Sequence, residues 1–238
     1  MTWYALVEEW PHESLVSFRA LPGCLSAAPT TEDALQQAPA AIAAYLHWLK
    51  QNQIFFLEEE PPSLIVAAKE RLHADQVGPR FESELVAPTD REMANALTVA
   101  ATARALLVEL YHEAPPAQRN CVFKAGEWSL ADHLRHLVQS EAHYVGCLSA
   151  HLPEAVQPVP ETELPRLLLE NGRTYEMFLG GLTAEQRARV YTQGEAEWTA
   201  AKVLRRMTEH LREHYPVMQA IVRQCSAPGG QNKDASSC

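Results

Sequence analysis

TAAKVLRRMTEHLREHYPVMQAIVRQ, residues 199–224, reads as one long helix. Val203, Met207, His210, His214, Val217 and Ile221 recur in alternating steps of four and three, the seam of a helix packed among others. Successive residues on an α-helix turn by about 100°, so His210 and His214 share a face one turn apart. Imidazole at consecutive seam positions is costly to desolvate unless a metal or a pair of hydrogen bonds satisfies it. A third ligand from another helix would complete a facial metal site with open positions, an arrangement suited to chemistry rather than to structural support.

The search for that ligand leads to the helix near 129–151. It opens on Trp128-Ser129-Leu130-Ala131-Asp132, a capping box that accounts for Asp132, and carries His133, His136, His143 and His151. His136 and His143 lie two turns apart, roughly 10 Å along the axis, too far to share one ion. Periodicity brings His133 nearer the apolar stripe of Leu130, Leu134, Leu137, Tyr144 and Leu148 and puts His136 on its flank, so both stay candidates. Glu141 and Glu209 are candidate acceptors behind the ligands, with solvent exposure the plainer reading of Glu209. Trp198 and Tyr215 are packing residues that could line a pocket, and Arg205, Arg206 and Arg212 read as the solvated side of the last helix.

Further helices are expected near 89–113 and 161–180, with a short one after Thr183 and proline-rich loops between. Four long amphipathic segments of this kind argue an all-α four-helix bundle over 89–225. Residues 1–88 have a different period. Trp3, Ala5 and Val7 alternate with Tyr4 and Leu6, Pro11-His12-Glu13 turns the chain, and Ser14–Phe18 forms a second strand before Leu21-Pro22-Gly23-Cys24 breaks it. Another short strand is expected next. Thr30 with Asp33 then caps a helix carrying Leu35, Ile42, Leu46 and Leu49, in which Pro39 predicts a kink or break. Phe81–Val86 is the candidate closing strand of this α+β module. Glu58-Glu59-Glu60-Pro61-Pro62 reads as a solvated acidic turn, and 226–238 as a disordered tail.

The 238 residues are 47% hydrophobic and 21% charged, ordinary for a globular protein of one or two domains. A net charge of −10 argues against a general nucleic-acid binder. No apolar run is read as long enough to cross a bilayer, and no basic leader precedes a cleavage site, so the expectation is a cytoplasmic protein without a membrane partner. Five scattered cysteines make neither a disulfide framework nor a C-x-x-C zinc pair, and reduced thiols are expected. Neither a Ser-His-Asp arrangement nor a glycine-rich phosphate loop is visible.

Two stretches resemble known families. SFRALPGCLSAAPTTEDALQQAPAAIAAYLHWL, residues 17–49, resembles the HicB-like antitoxin domain, a partial RNase H-like fold, although no DNA-binding segment follows it. EWSLADHLRHLVQSE, residues 127–141, is similar to the second-helix signature of the DinB/YfiT-like family, whose histidine-x-x-x-histidine motif falls on His210 and His214. Aligning Trp128 and Ser129 puts that family's first metal histidine on His136. The resemblance implies a divalent metal, zinc or nickel with manganese as a further candidate, held by His136, His210 and His214. It also implies a metal-dependent thiol S-transferase or hydrolase acting on a small molecule, such as a low-molecular-weight thiol. The rival expectation is a non-enzymatic binding protein whose HicB-like module takes a protein partner while the bundle serves as scaffold; a homodimer is compatible with either.

Overall fold

The computed structural model describes residues 2–54, 63–73, 78–122, 126–148 and 159–226. β1 (Thr2–Glu9) pairs antiparallel with β2 (Ser14–Phe18), and β2 with β3 (Leu25–Ala28). The turn closes where Trp10 N–H donates to the Glu13 carbonyl. Trp3, Ala5 and Val7 are buried and Tyr4 is exposed, as the alternation requires. Leu6 breaks it, because its side of the sheet meets Ala96, Ala201 and Leu204 of the helical part around a shared cavity.

α1 (Thr31–Gln51) starts where the Thr30 hydroxyl accepts from the Asp33 amide. Pro39 lies inside it and the helix runs on without a break; the position that loses its donor there is exposed. The strand that completes the sheet is β4 (Ser63–Arg71), parallel to β1, giving the order β3-β2-β1-β4. Phe81–Val86 does not supply it: Glu82–Leu85 forms a 3-10 turn held by the Phe81 amide donating to Glu84. The acidic 58–62 turn and residues 227–238 lie outside the described residues.

The helical part comprises α2 (Asp90–Glu113), α3 (Leu130–Gly146), α4 (Leu164–Gly180), a short α5 (Ala184–Ala188) and α6 (Ala200–Ser226). Between α5 and α6 a small hairpin, β5 (Tyr191–Gln193) with β6 (Ala196–Trp198), was not anticipated from sequence. α2 packs on α4 and α6, and α3 packs on the same two helices, around a core that includes Leu107, Leu134, Leu168 and Met207. Thr89 and Ser129 cap α2 and α3 with the reciprocal bonds their sequences call for. α2 is long and apolar enough to cross a membrane by composition, which corrects the expectation of no such run; half of that window is buried in the fold, and it carries Arg104. Cys24 and Cys147 are free and buried, whereas Cys121 is disulfide-bonded rather than reduced.

The seam of α6 departs from expectation at its far end. Val217 is half exposed, and Leu211, Met218 and Val222 carry the core contact beside Val203 and Met207. His210 and His214 therefore flank the seam and turn toward α3. Arg205, Arg206 and Arg212 do not form a solvated face either. Arg205 donates from Nε to Glu84, pairs with Glu8 of β1 and Glu209, and reaches the Pro79 carbonyl from its second terminal nitrogen. Arg212 lies 4.0 Å over the Trp48 ring. These contacts dock the sheet against the helix that carries the histidine pair.

Candidate metal centre

α3 and α6 face each other across four histidines. His136 Nε2 lies 2.9 Å from His210 Nε2, and His214 Nε2 lies 3.0 Å from the same atom. The three nitrogens all fall within 4.8 Å of one another, a group that could hold a metal ion. Metal–nitrogen bonds of about 2.0–2.1 Å meeting at right angles place neighbouring donors about 3 Å apart, which matches the two spacings at His210 Nε2. Hydrogen bonding cannot satisfy the same arrangement. The His210 Nε2 atom has either one N–H or one lone pair, yet two other nitrogens stand at bonding distance.

His133 takes a different place. Its Nδ1 is 2.7 Å from His214 Nδ1, on the side of that ring away from the convergent nitrogens. Periodicity left His133 and His136 open because both lie near the stripe facing α6; the rotation that separates them depends on how α3 and α6 cross. Tyr144 Oη is 3.2 Å from His210 Nδ1, and Ser140 Oγ is 3.4 Å from His136 Nε2. Trp128 closes one side, its ring 4.7 Å from His136 and 5.4 Å from His133, while the indole stays 45% exposed. Trp198 stands behind Tyr144 at 5.8 Å, and His143 packs on Trp198 rather than on the ligand face.

Burial, aided by His214, His136 and Arg206, pushes the His210 imidazole down to about 2. Burial with His133 and His136 pushes His214 down to about 3. His133 and His136 are also lowered, by burial above all. The imidazoles are therefore neutral at neutral pH, with lone pairs available, the state a metal requires.

Residues 100–218, half of the chain, match the model of the DinB superfamily. The chain belongs to the DinB superfamily. The matched span runs from α2 into α6 and contains all three convergent histidines. Comparison with curated proteins and with solved structures gives no match. Two acidic residues were misjudged from sequence: Glu209 is buried with Arg205, and Glu141 is buried against Arg104 of α2. The Glu141 partner lies on another helix, whereas Arg205 and Arg206 precede Glu209 by four and three residues and were the readable signal.

Proposed function

We propose that this DinB superfamily protein binds one divalent ion through His136, His210 and His214 and uses it in thiol S-transfer or hydrolysis of a small molecule. The convergence of three neutral Nε2 atoms at metal-ligand spacing carries the reading. Zinc or nickel suits an all-imidazole set, with manganese a weaker fit. When bound, such an ion supplies Lewis acidity and lowers the pKa of a coordinated thiol or water. The chain contributes the rest. α3 and α6 fix the donors in a four-helix bundle, the Ser140 hydroxyl stands beside the donor face, and Trp128 shields its rim from water.

Metal content of untagged protein by mass spectrometry tests this directly. Near-stoichiometric metal in the wild type, lost in His136→Ala and in His210→Ala, is the expected result and justifies screening thiol transfer and hydrolysis. Metal lost with His210→Ala but kept with His136→Ala reassigns the third ligand to His133. No metal after reconstitution with zinc, nickel and manganese overturns the proposal.

A further inference from the structure

An imidazole presents one ring nitrogen to a metal, and the partner of the other nitrogen decides which one is free. In the metal-free chain two tautomeric arrangements compete. If His210 carries its proton on Nε2, that N–H can donate to His136 Nε2 at 2.9 Å or His214 Nε2 at 3.0 Å, and the donor face closes on itself. If the protons of His210 and His214 sit on Nδ1, their Nε2 lone pairs point inward. The second arrangement puts lone pairs against one another, so it needs support from behind each ring.

That support is present. Tyr144 Oη stands 3.2 Å from His210 Nδ1, and His133 Nδ1 stands 2.7 Å from His214 Nδ1. Building on the metal-binding reading, we propose that Tyr144 and His133 are positioning residues of the centre: each accepts the Nδ1–H of one histidine and so reserves its Nε2 lone pair for the ion. Neither acceptor is free to wander. His133 is buried in the first turn of α3, where its backbone N–H donates to the Ser129 carbonyl. The Tyr144 ring packs on Trp198, and the Arg206 charge lies near its hydroxyl. Arg206 in turn pairs with Glu209 at 3.5 Å and lies 3.6 Å from Glu8 of β1. Polar groups thus extend from Glu8 of the N-terminal sheet through Arg206 toward Tyr144 and the back of His210.

The test uses full-length, metal-free protein labelled with ¹⁵N-histidine, whose imidazole nitrogen shifts report tautomers, together with zinc competition against a chromophoric chelator. The wild type is expected to show Nδ1–H on both His210 and His214. Tyr144→Phe should move His210 to the Nε2–H form, leave His214 unchanged, and weaken zinc binding about 10–100-fold. His133→Ala should do the converse for His214, and His133→Gln, whose amide oxygen can accept, should recover part of the affinity. A wild type that binds zinc, with Tyr144→Phe and His133→Ala variants that bind it within about twofold and keep the wild-type tautomers, overturns the positioning roles alone. A wild type that binds no zinc overturns the metal reading on which they rest.

Discussion

Arg104 shows what a single residue can demand of its surroundings. It sits in α2 at 1% exposure, pairs with Glu141 and Glu176, and rests against the Met207 sulfur. Gly172 of α4 makes room for it, since a Cβ there would stand 2.7 Å from Arg104 Cδ and Nε. Removing one partner of a buried pair leaves the other charged and unsolvated, so Arg104→Ala should cost about 3–5 kcal/mol in urea denaturation. Arg104→Met with Glu141→Leu should recover most of that loss. A second prediction concerns the metal-free histidines. Their folded-state values, about 2 for His210 and about 3 for His214, lie below the 6.5 of the unfolded chain. The unfolded state therefore takes up protons first as pH falls. The stability these neutral rings contribute is complete above about pH 6.5 and is lost progressively toward pH 3. The buried Glu209, pushed up to about 7 chiefly by burial, works in the opposite sense. The comparison that isolates the histidines is a His210→Asn, His214→Asn variant, whose urea midpoint should fall less than the wild type's between pH 7 and pH 5.

Among the elements, those with local causes were legible and those with distant causes were not. Thr30, Ser129 and Thr183 announce helix starts because a cap is completed within three residues. β2 was readable to the residue because a turn, an apolar alternation and a proline-glycine break all fall inside fifteen positions. β4 was not: its register with β1 spans about sixty residues of chain, and the alternating Phe81–Val86 competed with it as the closing strand. The spacing of His210 and His214 was visible for the same local reason, whereas the choice of His136 over His133 as the residue facing them depends on how α3 and α6 pack. Pro39 yields the element-scale prediction. Proline inside a helix removes one hydrogen bond and crowds the preceding turn, and here it lies on an exposed face with no packing role to offset that. Pro39→Ala should stabilise the protein by about 1–3 kcal/mol, the gain being reduced by the freer unfolded chain. Thermal melting reads it, and an unchanged or lowered midpoint would show that the cost of the proline is absorbed elsewhere.

At the scale of the molecule, the sheet and the helices share their boundary instead of merely touching. Val99 of α2 belongs to the apolar core under the sheet. Gly23, with φ of +79°, lets the turn after β2 approach α6 so closely that a Cβ would lie 3.1 Å from the Thr208 carbonyl oxygen. Arg205 joins Glu8, Glu84 and Glu209, drawing β1, the 3-10 turn and α6 onto one guanidinium. Breaking such a contact anywhere leaves buried charge on the other side, so partial opening of one core exposes the other to that penalty. A ligand that binds only the native state stabilises whatever unfolds with its site, by about 2.7 kcal/mol at a hundred times its Kd. Zinc bound at α3 and α6 should therefore slow hydrogen exchange at the slowest amides of β1, around Ala5 and Val7, as much as in α6 itself. Glu8→Ala should separate the two responses, keeping the gain in α6 and diminishing it in β1. A gain confined to the helices in the wild type would mean that the two cores open independently, and that the buried arginine holds them in place without coupling their stability.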